Sequence, residues 1–252
     1  EAMEHTVVDI PEKYDEKVSE CRQSLIEKIA EFDDDLMQKF VEDEFISCEE
    51  IKEALRKAVL GLKIFPVLVG SALKHRGIHP LLNAVIDYLP SPVDVPSVTA
   101  IDLKNADNTV ERHASEDQPL SALAFKVVTD KHVGRLVYLR VYSGLLKPGT
   151  MVLNSSNKER ERIGRLMVMH ADSREEVQSA GPGEIVAVIG LKNTVTGQTL
   201  CQLDSPVSLE AITFPDPVLS VAVEPKTRSD QDKMSDALVK LSDEDPTLQV
   251  RT

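Results

Sequence analysis

His75 and His79 lie four positions apart, a spacing at which two imidazoles can share a metal ion. No cysteine or carboxylate accompanies them as a third ligand, and Gly77 lies between them, so they read as surface histidines. Asp33, Asp35 and Glu44 hold positions one, three and twelve of a calcium loop. Gln38 stands where that loop requires glycine, and Leu36 and Met37 are apolar, so a solvated helix cap is expected instead. Ser71 is not in a Gly-x-Ser-x-Gly elbow. No Gly-x-x-x-x-Gly-Lys-[Ser/Thr] phosphate loop occurs in the 252 residues. Asn157-Lys158-Glu159-Arg160 begins like a guanine-reading Asn-Lys-x-Asp, but Arg160 replaces the aspartate that would accept from the base. These residues assign no catalytic group and no metal site.

Two stretches retain a binding chemistry. Gly70-Ser71-Ala72-Leu73 follows an apolar run and opens toward a helix. Ligands of open α/β sheets bind at that edge, where backbone N–H groups can donate to a base carbonyl. A plain strand-to-helix turn is the competing reading. Lys158, Arg160, Arg162 and Arg165 fall within eight positions, beside an expected hairpin turn at Asn154 to Asn157. Strand alternation puts Arg160 and Arg162 on one face, where two guanidinium groups suit phosphate oxygens. Unbroken alternation would put Leu166 and Val168 on that face too, so a twist or bulge is expected near Gly164. The alternative is a solvated rim, partly neutralised by Glu159 and Glu161.

The elements that must position these residues fall into unlike textures. Pro11 suits a first helical turn, and Tyr14, Val18, Cys21, Leu25 and Ile29 form one apolar stripe. Leu36, Met37, Phe40 and Val41 predict a short second helix. Ser47 with Glu50 is a capping box opening a third helix, over Ile51, Ala54, Leu55 and Ala58. Lys63 to Val69 is a short apolar run predicting a strand buried on both faces. Ile78, Leu81, Leu82, Val85, Ile86 and Leu89 form a helical face, stopped by Pro90-Ser91-Pro92. Residues 95–119 read as a linker. From Leu120 the pattern is β. Leu123, Phe125 and Val127 alternate, as do Val137, Leu139 and Val141. Turns at Leu146 to Gly149 and Ala180 to Gly183 punctuate further strands at 151–153, 160–169, 184–189 and 199–201, a pattern predicting a small antiparallel barrel over 120–210. After Phe214-Pro-Asp-Pro217, a strand over 218–223, a helix over 230–241 and a strand from about Thr247 are expected.

Composition narrows the class. Hydrophobic residues are 42% and charged residues 28%, which excludes a disordered or collagen-like chain. Cys21, Cys48 and Cys201 are isolated, against a disulfide framework. The longest apolar stretch, Ala58 to Leu73, is broken by Lys63 and Pro66, and the first residues lack a basic start, so neither a membrane span nor a signal peptide is expected. The net charge of −13 is uneven. Residues 1–60 hold 18 acidic and 8 basic residues, whereas residues 120–205 hold 11 basic and 8 acidic. A mildly basic module inside an acidic chain can still face phosphate.

Lys63-Ile-Phe-Pro-Val-Leu-Val-Gly-Ser-Ala-Leu-Lys74, then Gly77-Ile78, Leu81-Leu82 and Asp87-Tyr-Leu-Pro-Ser-Pro92, resembles the end of the GTPase domain of elongation factor G. Ala124-Phe-Lys126, Gly134-Arg-Leu136, Arg140-Val-Tyr-Ser-Gly144, Leu146-Lys-Pro-Gly149, Met169-His-Ala171, Arg174-Glu-Glu176 and Thr196-Gly-Gln-Thr-Leu-Cys201 resemble its second domain, a β-barrel. Pro215-Asp-Pro-Val218 and Asp243-Glu-Asp-Pro246 resemble the opening of its third. The resemblance implies a multidomain fold. Residues 1–94 would be the C-terminal part of a P-loop-type α/β GTPase domain with a helical insertion. An antiparallel barrel would follow, and residues 211–252 would begin a ferredoxin-like βαβ domain. The implied activity is that of a cytoplasmic, ribosome-dependent GTPase driving translocation of transfer and messenger RNA. Its last guanine motif maps onto Ser71, Ala72 and Leu73, and its barrel would meet small-subunit ribosomal RNA through Lys158, Arg160, Arg162 and Arg165. GTP and magnesium belong to the intact factor; its phosphate loop, switch regions and Asn-Lys-x-Asp have no counterpart here, so these residues alone are expected to bind no cofactor. A ribosomal protection protein, a release-factor-type GTPase and a free-standing protein-interaction barrel are the alternatives.

Overall fold

The computed structural model describes residues 9–105, 107–130, 133–171, 173–209, 212, 214–225, 227 and 230–250. Two compact units divide the chain, Glu1–Asp94 and Val95–Thr252.

The first unit is helical: after a single turn at Glu12–Tyr14 come α1 (Asp15–Ala30), α2 (Asp34–Val41), α3 (Cys48–Leu60) and α4 (Ile78–Tyr88). Asp33 caps α2, its carboxylate accepting from Leu36 N at 3.1 Å, which is the solvated cap expected in place of a calcium loop. The Ser47–Glu50 capping box is formed in both directions, at 3.2 and 2.9 Å. Ile26, Ile29, Leu36, Ile46, Ile51 and Leu55 make the core. The α1 stripe expected from spacing is corrected: Ile29 is buried, but Tyr14, Val18, Cys21 and Leu25 are exposed. The packing line runs instead along Ile26, Ile29 and Ala30, and the exposed Arg22 donates to Ile46 O at 3.3 Å.

Residues 63–69 form no strand, against expectation, and Val69 is 91% exposed. A strand needs a neighbouring ladder for its N–H and C=O groups, and no strand is present among the described residues of this unit.

The second unit begins where a linker was expected. Residues 95–119 carry β1 (Val98–Asp102) and β2 (Thr109–Arg112), which pair with each other and, through β1, with β11 (Val207–Ser208). Ala100, Cys201, Val207 and Leu209 form a small core that holds this sheet, so apolar burial overrides the polar composition of the segment. The buried Arg112 donates to Ser205 Oγ at 2.6 Å, and burial pulls its pKa down while pushing the Cys201 thiol up.

The main sheet contains β3 (Ser121–Asp130), β4 (Gly134–Ser143), β5 (Met151–Asn154), β6 (Arg160–Arg162), β7 (Arg165–His170), β8 (Ser173–Val177), β9 (Ile185–Ile189) and β10 (Thr199–Cys201). All its pairings are antiparallel, in the order β6-β5-β10-β3-β4-β9-β7-β8. β6 and β7 belong to one short segment yet lie near opposite ends of that order, so the sheet curls on itself as the expected barrel. Val137, Leu139, Val141, Val152, Ile163 and Leu166 fill its interior. On β3 the inward residues are Ala122, Ala124 and Val127, not the expected Leu123 and Phe125. The register shifts between Ala124 and Lys126, and this bulge exchanges the two faces.

Residues 218–223 form no strand and are exposed, and no strand forms from Thr247. The reason is again a missing ladder partner among the described residues. The predicted helix is present as α5 (Gln231–Glu244). It packs on the end of β3, where Glu244 accepts from Thr129 N at 2.6 Å, and Asp243 lies 3.5 Å from Arg135 Nε.

Two expected outcomes follow from this packing. The Lys39 hydrogen bond, followed by those from the backbone and hydroxyl of Ser47, holds the Glu50 pKa at about 2 against an ordinary 4.5. A depressed carboxyl pKa stabilises the fold fully above its unfolded value, and the contribution is lost as pH falls toward the folded value. Glu50→Gln therefore lowers stability near neutral pH, and its difference from wild type shrinks between pH 4.5 and about 2. Urea unfolding followed by helical circular dichroism measures this; a difference independent of pH would refute it. Second, a Cβ added at Gly164 would sit 2.0 Å from Ile189 O, whereas one at Gly134 would meet nothing within 4 Å. Gly164→Ala should destabilise the barrel by roughly 2–4 kcal/mol in chemical denaturation. Gly134→Ala should cost only the strain of its positive φ, about 1 kcal/mol.

Candidate nucleic-acid interface

The basic strand is built from a tight hairpin. Asn154 ends β5 and folds its side chain over the turn, Oδ1 accepting from Ser156 N at 3.1 Å. Lys158 closes the turn in the left-handed region, φ 61°, with its N–H on Asn154 O at 2.9 Å. β6 then pairs with β5, Val152 opposite Glu161 and Met151 opposite Arg162.

Arg160 and Arg162 are exposed and Glu161 is buried, as alternation requires. Ile163 also points inward, but the next inward residue is Leu166. The inward positions are thus three apart across Gly164, the break that the sequence required. This slip turns Arg165 outward, like Arg160 and Arg162. The predicted basic residues Lys158, Arg160, Arg162 and Arg165 are all exposed, and none makes an ion pair among the described residues. Arg162 Nε donates to Gly149 O at 3.3 Å, laying its guanidinium over the Lys147–Gly149 turn.

The carboxylates expected to neutralise this strand are engaged elsewhere. Glu161 Oε2 accepts from the backbone N–H groups of Lys192 at 2.6 Å and Asn193 at 3.0 Å, and Oε1 from the Thr194 hydroxyl. Glu159 accepts from Asn193 Nδ2 at 2.6 Å. Beneath them, Asn154 Nδ2 donates to Gln198 Oε1 at 2.7 Å. From the other side, Arg135 donates to the carbonyls of Leu191, Lys192 and Thr194 at 3.1, 3.0 and 2.7 Å. Sequence reasoning missed this arrangement. Its one signal was parity: outward Arg160 and Arg162 force Glu161 inward, and a buried carboxylate must find donors.

The Ser71 loop lies in the other unit. Ser71 and Arg76 exchange backbone hydrogen bonds at 2.9 and 3.0 Å, and His75 N reaches Ala72 O at 3.0 Å. A Cβ at Gly70 would meet Arg76 O at 2.8 Å, so this closure needs glycine there. Ala72 and Leu73 are exposed, and their N–H groups make no hydrogen bond among the described residues. The loop can donate to a neutral acceptor such as a base carbonyl. The residues present do not fit a triphosphate with magnesium: the chain has no phosphate loop, and no cluster of metal-ligating side chains occurs among the described residues. Nor, among those residues, is any helix long and apolar enough to cross a membrane.

Residues 119–203 match the family model for elongation factor G domain 2, and residues 214–252 that for elongation factor G domain III. A crystal structure from Thermus thermophilus is similar at 30% identity and a TM-score of 0.75, over 100% of this chain and 35% of that one. The chain thus spans about a third of the length of that relative. The barrel is thus an elongation factor G domain 2, and the segment that carries α5 an elongation factor G domain III, in chain order.

Proposed function

We propose that this chain is part of a cytoplasmic, ribosome-dependent GTPase that promotes movement of transfer and messenger RNA, and that its barrel binds small-subunit ribosomal RNA through Lys158, Arg160, Arg162 and Arg165. The observation that carries the RNA reading is the treatment of charge on β6. Arg160 and Arg162 stay exposed and make no ion pair among the described residues, while Glu159 and Glu161 accept from the side chain of Asn193, the backbone N–H groups of Lys192 and Asn193 and the hydroxyl of Thr194. A strand that only solvated the barrel would gain from pairing those opposite charges; a strand that meets phosphate gains from leaving the cations free. The Ser71–Leu73 loop supports a guanine contact in the same factor, because the Ala72 and Leu73 N–H groups are unspent among the described residues.

The 252 residues themselves are expected neither to bind GTP tightly nor to hydrolyse it. Without a phosphate loop nothing cradles the triphosphate. One or two base contacts at about 1 kcal/mol each fall far short of the roughly −8 kcal/mol of micromolar affinity. Titration calorimetry should show no micromolar binding, and a clear micromolar isotherm would overturn this reading of the site.

For the barrel, Arg160→Glu with Arg162→Glu should weaken co-sedimentation of the chain with ribosomal small subunits. The loss should shrink as salt rises, and the dependence of log affinity on log salt should flatten by roughly 0.7–0.9 per lost phosphate contact. Binding equal to wild type at low salt would mean that this face is not the contact.

A further inference from the structure

We propose that Leu191–Thr194, the segment between β9 and β10, is the second wall of the same phosphate-binding face, with Lys192 a further contact and Glu161 the residue that positions it. This rests on the ribosomal-RNA reading of β6 and extends it to residues remote in sequence.

Both strand carboxylates fasten this segment. Glu161, only 7% exposed, lies between Arg160 and Arg162 and holds the N–H groups of Lys192 and Asn193 and the hydroxyl of Thr194. Glu159, the residue before Arg160, holds the side chain of Asn193. Arg135 takes the carbonyls of Leu191, Lys192 and Thr194. Donors and acceptors of the segment are therefore fixed from opposite sides, and its backbone is tied directly alongside β6. Lys192 itself is exposed, and its ammonium makes no hydrogen bond or ion pair among the described residues. A cation carried on backbone already ordered loses less entropy on meeting phosphate than one on a free loop. The inward turn of Glu161 fastens the backbone of Lys192 to β6, and the Lys192 side chain stays exposed.

The two roles of Glu161 make opposite predictions. If only charge mattered, Glu161→Gln would strengthen binding to a polyanion, since it deletes a negative charge. If position matters, Glu161→Gln weakens it, because the amide offers the segment one acceptor oxygen in place of two. Co-sedimentation with ribosomal small subunits at low salt is measured for wild type, Lys192→Ala, Glu161→Gln and the Arg160→Glu, Arg162→Glu pair. Lys192→Ala should bind several-fold more weakly, with a salt dependence flatter by roughly 0.7–0.9. Glu161→Gln should bind more weakly, and hydrogen exchange at the Lys192 and Asn193 amides should accelerate. If the arginine pair binds as wild type, the RNA reading fails and this inference falls with it. If the arginine pair is weakened but Lys192→Ala is not, the RNA reading stands and this inference alone is overturned. Tighter binding by a folded Glu161→Gln removes the positioning role. Lys192→Ala is an exposed change that leaves every hydrogen bond of the segment in place, so it decides the contact even if Glu161→Gln folds poorly.

Discussion

The barrel depends on one close approach, Gly164 against the carbonyl of Ile189. Residues 160–170 run as a single segment, yet their first part pairs with β5 and their last with β9 and β8. Such a segment can close a sheet only by bending sharply between its two pairings. At the bend the backbone of Gly164 lies so near Ile189 O that even a methyl group would stand 2.0 Å from it. The bend also slips the alternation by one residue, so that Ile163 and Leu166 both face inward. Sheet closure, core filling and the outward turn of Arg165 share this one cause.

A polar counterpart lies in the segment between β9 and β10. Segment 191–198 is held by Glu161 on one side and Arg135 on the other. It also meets the domain III portion of the chain. Arg135 Nε lies 3.5 Å from Asp243 of α5, and a Cβ at Gly197 would meet the Phe214 ring at 3.4 Å. The loop that borders the basic strand is thus the loop on which the following domain's residues rest. Arg135 thus touches both α5 and the loop, its Nε facing Asp243 and its terminal nitrogens donating to the loop carbonyls.

How much was legible follows from what each residue's conformation depends on. The capping box at Ser47, the hairpin at Asn154 and the break at Gly164 rest on neighbours close in sequence, and all could be read there. The strands at 63–69 and 218–223 could not. Their apolar residues are those of strands, but a ladder is a property of two segments, and neither finds its partner among the described residues. β1 and β2 show the converse: their residues read as linker, yet they pair with each other, and β1 also takes up β11 and packs near Cys201 from about a hundred residues away. On β3 the bulge at Phe125 is invisible locally because it is set by the register against β4. The basic residues of the site were legible as a cluster. The inward partner of Glu161 was not, since nothing in the sequence near 161 points to 192.

The same distinction applies to charge, whose sum over the chain differs from its local distribution. The net charge of −13 is dominated by residues 1–60, where acidic residues outnumber basic ones by 18 to 8. Screening at physiological ionic strength acts over about 8 Å, so the charges within that distance of a face weigh most on it. What a phosphate meets at β6 is set by the charges within that distance. There Glu159 and Glu161, the nearest carboxylates in sequence, are committed to Asn193, Lys192 and Thr194. Net charge is a property of the whole chain, whereas the surroundings of Arg160 and Arg162 are set by how the strand and its neighbouring segment are hydrogen-bonded.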